Sequence, residues 1–184
     1  HGVRIELLTN PFGAAFSLGA LSLPLTILWV VALVNAFNLL DGLDGLAAGS
    51  ACIAAGALIA VAWHDHRAGM AILMLALAGA CAGFLRYNFF PARIFMGDTG
   101  SMFVGFILAA MSIMEARKAT AALALMIPLA ALSLPLLDTL LAIVCRLAKR
   151  RNVFRGDREH LHHRLLHLGL SQRQTVLLLY YFNV

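Results

Sequence analysis

Five stretches of this chain, near 17–34, 46–63, 68–85, 100–116 and 120–147, stay apolar for about the 17 to 25 residues a helix needs to cross a bilayer. A helix satisfies its own backbone hydrogen bonds where no water is present, so runs of this length read as membrane-spanning helices. A sixth run begins at Gln174. Hydrophobic side chains make up 61% of the chain and charged ones 12%, against about a quarter charged in soluble domains. The expected fold is an all-α, polytopic transmembrane helical bundle of about five complete helices plus the start of a sixth, one membrane-embedded domain over 1–184.

The ends suggest a fragment. The chain opens on His1 and stops at Val184, about ten residues into a run then too short to span. The first 16 residues, "HGVRIELLTNPFGAAF", lack the basic-then-apolar order of a signal peptide. Their Asn-Pro and Phe-Gly pairs suggest a short turn outside the membrane. Cys52, Cys81 and Cys145 each fall inside an expected helix without a close-spaced partner, which argues against a disulfide framework or a zinc site.

Alternating the connections across the membrane puts 35–45, 86–99 and 146–173 on one side and 1–16, 64–67 and 117–119 on the other. The first set holds ten of the 14 lysines and arginines, with Arg86, Arg93 and eight between Arg146 and Arg173; the second holds Arg4, Arg67, Arg117 and Lys118. By the positive-inside rule the first set is cytoplasmic. The same face then receives Asp41, Asp44, Asp98, His160, His162, His163 and His167. Polar groups distant in sequence thus converge at one membrane face, as an active site built from several loops requires.

In "NAFNLLDGLDGLAAG", residues 35 to 49, Asn38, Asp41 and Asp44 recur every three positions, so on a helical turn Asn38 and Asp41 share a face and Asp44 is rotated away. Carboxylates at this depth cost about 2.5 to 3.5 kcal/mol each on insertion scales unless a cation, a polar ligand or water compensates them. The plainer reading is interfacial, with Asp44 capping the next helix; two carboxylates and an asparagine at this spacing favour function. Gly45 and Gly49 read as sites of close helix approach, since they do not fit a dinucleotide fingerprint. In "RYNFFPARIFMGDTGSMFVGF", Asp98-Thr99-Gly100-Ser101 lies where a helix starts, a place suited to a phosphate at the backbone N–H groups with the Asp98 carboxylate holding Mg2+ against it. Phe95, three residues earlier, is the aromatic best placed to stack on a base. An N-cap role for Asp98 would account for the carboxylate alone.

The stretch 146–173 carries eight basic side chains and four histidines. Anionic lipid explains the arginines but not "HLHHRLLHLG". If helical, His160, His163 and His167 share a face, and beside arginines imidazoles suit a diphosphate or lipid phosphate; no zinc-ligand spacing is met. "HDH" at His64–His66 reads as a solvated external turn. Asp138 is expected to lie deep in a fifth helix broken by Pro128 and Pro135.

Taken together, "NAFNLLDGLDGLAAG", "FFPARIFMGDTGS" and "REHLHHRLLHLGLSQRQTV" resemble the polyprenyl-phosphate N-acetylhexosamine-1-phosphate transferases (glycosyltransferase family 4), over essentially the whole chain and in the family's order. The single spacer between His160 and His162-His163 is similar to the UDP-GlcNAc:undecaprenyl-phosphate GlcNAc-1-phosphate transferase branch. The phospho-MurNAc-pentapeptide transferases of peptidoglycan synthesis, the alternative within the family, usually have three adjacent histidines. The resemblance implies a Mg2+-dependent enzyme (Mn2+ substituting) of the bacterial plasma membrane, with its site on the cytoplasmic face. A polyprenyl phosphate would attack the sugar-linked phosphorus of a UDP-N-acetylhexosamine and release UMP, the first membrane step of cell-envelope glycan synthesis. By motif position it implies Asp98 and Asn38 as metal ligands, and Asp41, Asp98, His160, His162 and His163 as catalytic. Asp44 and Phe95 would form the uracil site, with Asn88 helping to form the nucleotide-sugar pocket. Partners would be the nucleotide sugar, the lipid and the membrane, with a homodimer allowed and no nucleic acid.

The family also has an adjacent Asp-Asp pair in an earlier cytoplasmic loop, and no such pair occurs here. The favoured expectation is a C-terminal portion of a longer transferase; the alternative is a natural truncation, inactive without the pair. Two other classes fit less well. CDP-alcohol phosphotransferases need an arginine after Asp-Gly-x-x-Ala that "DGLAAG" lacks. A cation-coupled transporter would spread charge through the membrane depth and often show an internal repeat, whereas only Asp138 lies deep here.

Overall fold

The computed structural model describes residues 3–9, 15–116 and 169–183. Near the start, Leu7–Thr9 (β1) and Ala15–Ser17 (β2) pair antiparallel, with Leu7 opposite Ser17 and Thr9 opposite Ala15; a short hairpin stands where only a turn was expected. One turn of 3-10 helix, Gly19–Leu21, leads into α1 (Ser22–Leu40), then α2 (Leu46–His64), α3 (Ala68–Asn88), α4 (Gly97–Ala116) and finally α5 (Gln172–Asn183). Four stretches, Gly19–Leu40, Leu46–His64, Ala68–Asn88 and Gly97–Met114, are long and apolar enough to cross a membrane. Apart from the hairpin, the described residues form the all-α bundle expected from the apolar runs. The fifth run, 120–147, with Pro128, Pro135, Asp138 and Cys145, lies outside the described residues.

The helices run further than their apolar stretches, and the connections shrink accordingly. α1 continues through Asn35 and Asn38 to Leu40, so the first connection is 41–45 rather than 35–45. Asn35 donates its side-chain amide to the Val31 carbonyl, 2.8 Å away and one turn back, which lets a polar residue stay in a helix without a tertiary partner. The second connection is 89–96 rather than 86–99. α3 stops after Asn88, where Phe89 turns extended two residues ahead of Pro91, because the chain before a proline is pushed out of the helical region. α5 begins at Gln172 rather than Gln174. Ser171 and Gln174 form a reciprocal cap: the Gln174 amide oxygen accepts from the Ser171 backbone N–H at 2.9 Å, and the Ser171 hydroxyl accepts from the Gln174 N–H at 3.3 Å. That is the Ser-x-x-Gln box of helix starts.

α2 is the hub, packed on α3, α4 and α5, while α1 packs on α4. Its inner surface is built from small residues, Ala47, Ala48, Ser50, Ala51, Ala54 and Ala55, all buried. Such residues let helix backbones come close in a membrane, where there is no hydrophobic drive between helices. Leu33, Phe37, Leu58, Met74, Leu108 and Val176 fill the core between them. α3 instead turns Ile72, Leu73 and Leu75 outward, as a lipid-facing helix does. Cys52 and Cys81 are free thiols, and Cys52 on α2 donates to the Ala78 carbonyl of α3 at 3.6 Å.

The α1–α4 crossing is tight. A Cβ at Gly105 would sit 3.0 Å from the Leu33 carbonyl oxygen and 3.0 Å from the Val34 Cα, backbone atoms that cannot swing aside. The Trp29 indole N–H donates to the Ser112 hydroxyl across the same crossing at 3.0 Å. Gly105→Ile should therefore wedge α1 from α4 and destabilise the bundle by about 1 to 3 kcal/mol, read as a lower unfolding temperature in detergent. Gly56→Ala, at a position open on its Cβ side, should not lower that temperature and should raise it slightly, alanine being the better helix former.

Candidate active site

One end of the bundle collects the C-terminal ends of α1 and α3 and the N-terminal ends of α2 and α4. The polar residues of both connections therefore meet there. Asn38, in the last turn of α1, donates its side-chain amide to Asp98 Oδ1 at 3.1 Å and to the Ser101 hydroxyl at 3.3 Å. Asp98 is exposed in the first turn of α4, where the positive end of the helix dipole favours a negative charge. Ser101, fully buried, donates in turn to the Gly97 and Asp98 carbonyls at 3.1 and 3.2 Å. Asp98 is thus an inner first-turn residue with its carboxylate turned toward α1.

Asp41 follows α1 directly and is partly buried. Burial pushes its carboxyl above the usual carboxylate range, the Gly97 backbone N–H pulls it back, and the neighbouring Asp98 charge pushes it up again. Burial is thus the main obstacle to the Asp41 charge, with Asp98 adding to it, and a nearby cation would relieve both. The donors are all oxygen: Asp41, Asp98 and the Asn38 carboxamide. Among the described residues no group of three His, Cys, Asp or Glu side chains is assembled into a cage. A hard cation such as Mg2+ suits this set, since it typically takes one or two protein carboxylates and fills its remaining positions with water and substrate phosphate.

Asp44 belongs to a second cluster. Its Oδ2 accepts from the Ala92 backbone N–H at 3.0 Å, so it ties the two connections together and does not cap α2. The residue before α2 is Gly45, whose φ of 84° is left-handed and whose place makes no side-chain cap. Asn88, buried at the end of α3, accepts from the Gly45 N–H at 3.0 Å and donates to the Ile94 carbonyl at 2.9 Å. Its amide is therefore spent on the backbone of both connections, as a bracket beneath the surface. Phe95 stands 75% exposed on 89–96, free in area to stack on a planar ligand.

Asn38, Asp41 and Asp98 come together, Asp44 and Asn88 join the two connections beside them, and Phe95 projects from the second connection. His160, His162, His163 and His167 lie outside the described residues. Three contributors were not read from the sequence. The Ser101 hydroxyl and the Gly97 N–H had only the helix-start pattern "GDTGS" to announce them. Tyr180 of α5, whose hydroxyl donates to the Gly45 carbonyl, sits in an apolar run with no local signal.

A sequence profile of glycosyl transferase family 4 matches residues 1–116. The chain is 39% identical over 180 residues to the probable undecaprenyl-phosphate N-acetylglucosaminyl 1-phosphate transferase of Bacillus subtilis, a match covering 97% of this chain and 50% of that protein. It is 42% identical over 201 residues to the decaprenyl-phosphate N-acetylglucosaminephosphotransferase of Mycobacterium tuberculosis, with the same coverage of 97% and 50%. With the phospho-N-acetylmuramoyl-pentapeptide-transferase of Desulforudis audaxviator it shares 37% identity over 175 residues, 91% of this chain and 51% of that one. The chain spans about half the length of these curated relatives.

The raised Asp41 carboxyl has a signed consequence for stability. An acid that holds its proton more tightly when folded favours folding below its ordinary value of 3.8, and that benefit is lost as pH rises through the raised folded value. Asp41→Asn removes the charge that the folded chain resists. In the absence of divalent cations it should unfold at a higher temperature than the wild type at pH 7. The gain should vanish as pH falls below about 3.8, where both side chains are neutral.

Proposed function

Because the chain belongs to glycosyl transferase family 4, we propose that the protein carrying it transfers an N-acetylhexosamine-1-phosphate, GlcNAc-1-phosphate first among them, from a UDP-sugar to a polyprenyl phosphate such as undecaprenyl phosphate, releasing UMP. The relatives whose names specify N-acetylglucosamine cover more of the chain than the muramoyl-pentapeptide relative does, 97% against 91%, which favours GlcNAc. The protein is a multi-pass enzyme of the bacterial plasma membrane with its site toward the cytoplasm. The excess of lysine and arginine in the connections at the Asp41 and Asp98 end supports that orientation.

The observation that carries this reading is the convergence of Asn38, Asp41 and Asp98 from two helices at one end of an apolar bundle. Phosphoryl transfer asks little covalent chemistry of a protein; it needs reactants held in line and negative charge compensated. Asp98 and Asn38 are the groups that would hold Mg2+, with Asp41 beside them, and the ion would supply charge neutralisation at the diphosphate. Asp41, a carboxyl raised by burial, suits brief custody of a proton at an attacking phosphate oxygen. Asp44 and Phe95 take the uracil, by hydrogen bond and by stacking, and Asn88 keeps their two connections at a fixed spacing. His160, His162 and His163 hold phosphate and sugar. The family's Asp-Asp pair does not occur within these 184 residues, so the reading is of the complete protein that carries them.

In the complete protein, reconstituted with UDP-GlcNAc and undecaprenyl phosphate, UMP release should require both Mg2+ and the lipid. Asp98→Ala and Asp41→Ala should each lower turnover by at least about a hundredfold while the protein still inserts. Wild-type turnover in the Asp98 variant would remove the metal assignment. Ion flux independent of any UDP-sugar would instead point to a transporter.

A further inference from the structure

We propose that Tyr180 and Arg173 of α5 are positioning residues for the nucleotide-sugar site, holding the 41–45 and 89–96 connections in register; the proposal rests on the reading of Asp44 and Phe95 as the uracil site. Between them these two residues bring the C-terminal helix into contact with both connections, although neither side chain bonds to the acidic groups themselves.

The peptide units around Gly45 are gripped from two directions. The N–H is taken by Asn88 of α3, and the carbonyl accepts from the Tyr180 hydroxyl. The carbonyl also accepts the first helical bond of α2, from Gly49 at 2.9 Å, so the tyrosine is an additional partner and not a substitute for helix formation. Gly45 directly follows Asp44, and its left-handed φ of 84° sets the direction in which the chain leaves Asp44 and enters α2. Fixing both sides of that residue fixes where the Asp44 carboxylate can reach.

Two glycines make room for the grip. Gly49, one turn into α2, faces the Tyr180 ring so closely that any side chain there would occupy the space of the ring and its hydroxyl. At Gly45, a Cβ would meet the Phe89 ring at 2.9 Å and Leu85 at 3.3 Å, so α3 closes the other side. α5 is seated on α2 by Thr175, Val176 and Leu179, all buried. This seating holds Tyr180 on the same face, one turn beyond Val176.

Arg173 works on the other connection. Its Nε donates to the Phe90 carbonyl at 3.1 Å, and its guanidinium lies 5.9 Å from the centre of the Phe90 ring, within cation–π range. Phe90 is two residues before Ala92, whose N–H holds Asp44. The Tyr180, Asp44 and Arg173 bonds therefore link α5 to the first connection, the first to the second, and the second back to α5. A bond removed from this loop should loosen ligand placement more than it unfolds the bundle.

The test uses the complete protein with Tyr180→Phe, which keeps the ring against Gly49 and deletes only the hydroxyl. Hydrogen–deuterium exchange without substrate should become faster at amides 41–49 and stay unchanged over the rest of α2. In turnover assays the KM for UDP-GlcNAc should rise about three- to tenfold, the scale of one hydrogen bond, with kcat and the KM for undecaprenyl phosphate within about twofold of wild type. Should Tyr180→Phe fail to accumulate, Arg173→Ala is read in the same way, with faster exchange expected at 89–96. Leu177→Ala, on the exposed face of α5, controls for general damage to that helix and should leave exchange at both connections unchanged. Wild-type exchange and wild-type KM in both bonding variants would overturn the proposal. So would a fall in kcat at unchanged KM, or a rise confined to the lipid phosphate, since either would give the residue a direct part in the reaction. The exchange measurement needs no substrate, so it decides the bracing even if the wild-type protein releases no UMP and the functional reading fails.

Discussion

Asn38 donates across the α1–α4 crossing to Asp98 and Ser101, and the rest of the polar end is organised around that contact. In an apolar bundle a polar side chain without a partner costs free energy, so the half-buried Asn38 ties the last turn of α1 to the exposed Asp98 and the buried Ser101 of α4. α1 must bring its last turn to the first turn of α4, and the small Gly105 allows the two backbones to come that close. Once the crossing is set, Asp41 follows from chain continuity, one residue past α1, beside Gly97 and Asp98. The acidic pair is therefore a consequence of how two greasy helices cross, and it is chiefly burial that resists the Asp41 charge, with the Asp98 charge a smaller addition.

The second cluster is held differently. Asp44 and Asn88 spend their hydrogen bonds on backbone groups of the two connections, peptide groups that no helix satisfies. This lacing makes two short connections into one surface. It also leaves Phe95 exposed beside the clusters, a rigid aromatic with nothing packed over most of it. A site that must accept a charged, planar, water-soluble ligand next to a lipid tail needs this division: fixed backbone below, open carboxylate and ring above.

The spans were legible because apolar length is a one-dimensional signal, and all four described spans fall where the runs predicted. Their ends were not, for reasons visible in particular residues. Asn35 and Asn38 marked a loop by polarity, yet one satisfies itself on Val31 and the other finds α4, sixty residues away. Asn88 was read as part of a loop and is instead the buried last residue of α3. Asp44 looked capable of capping α2, but its partner is Ala92, and no local pattern announces a bond across 48 residues. The α5 start was readable in principle, since Ser171 and Gln174 form a capping box in plain sequence. The acidic cluster itself was legible through the spacing of Asn38, Asp41 and Asp44 and through the charge asymmetry of the connections. Its neighbours, the Ser101 hydroxyl and the Gly97 N–H, and the Tyr180 bond to the Gly45 carbonyl depend on tertiary placement.

On the proposed function, Asn38 and Asp98, from separate helices, hold one divalent cation with the Asp41 carboxylate beside it. Electron paramagnetic resonance of Mn2+ titrated into the complete protein with UDP measures this most directly. One tightly bound Mn2+ per chain is predicted, weakened in Asp41→Asn and in Asp98→Asn, with the double variant little worse than either single one because both act on the same ion. Mn2+ bound with wild-type affinity in the double variant, or losses that simply add as for two independent ions, would contradict it.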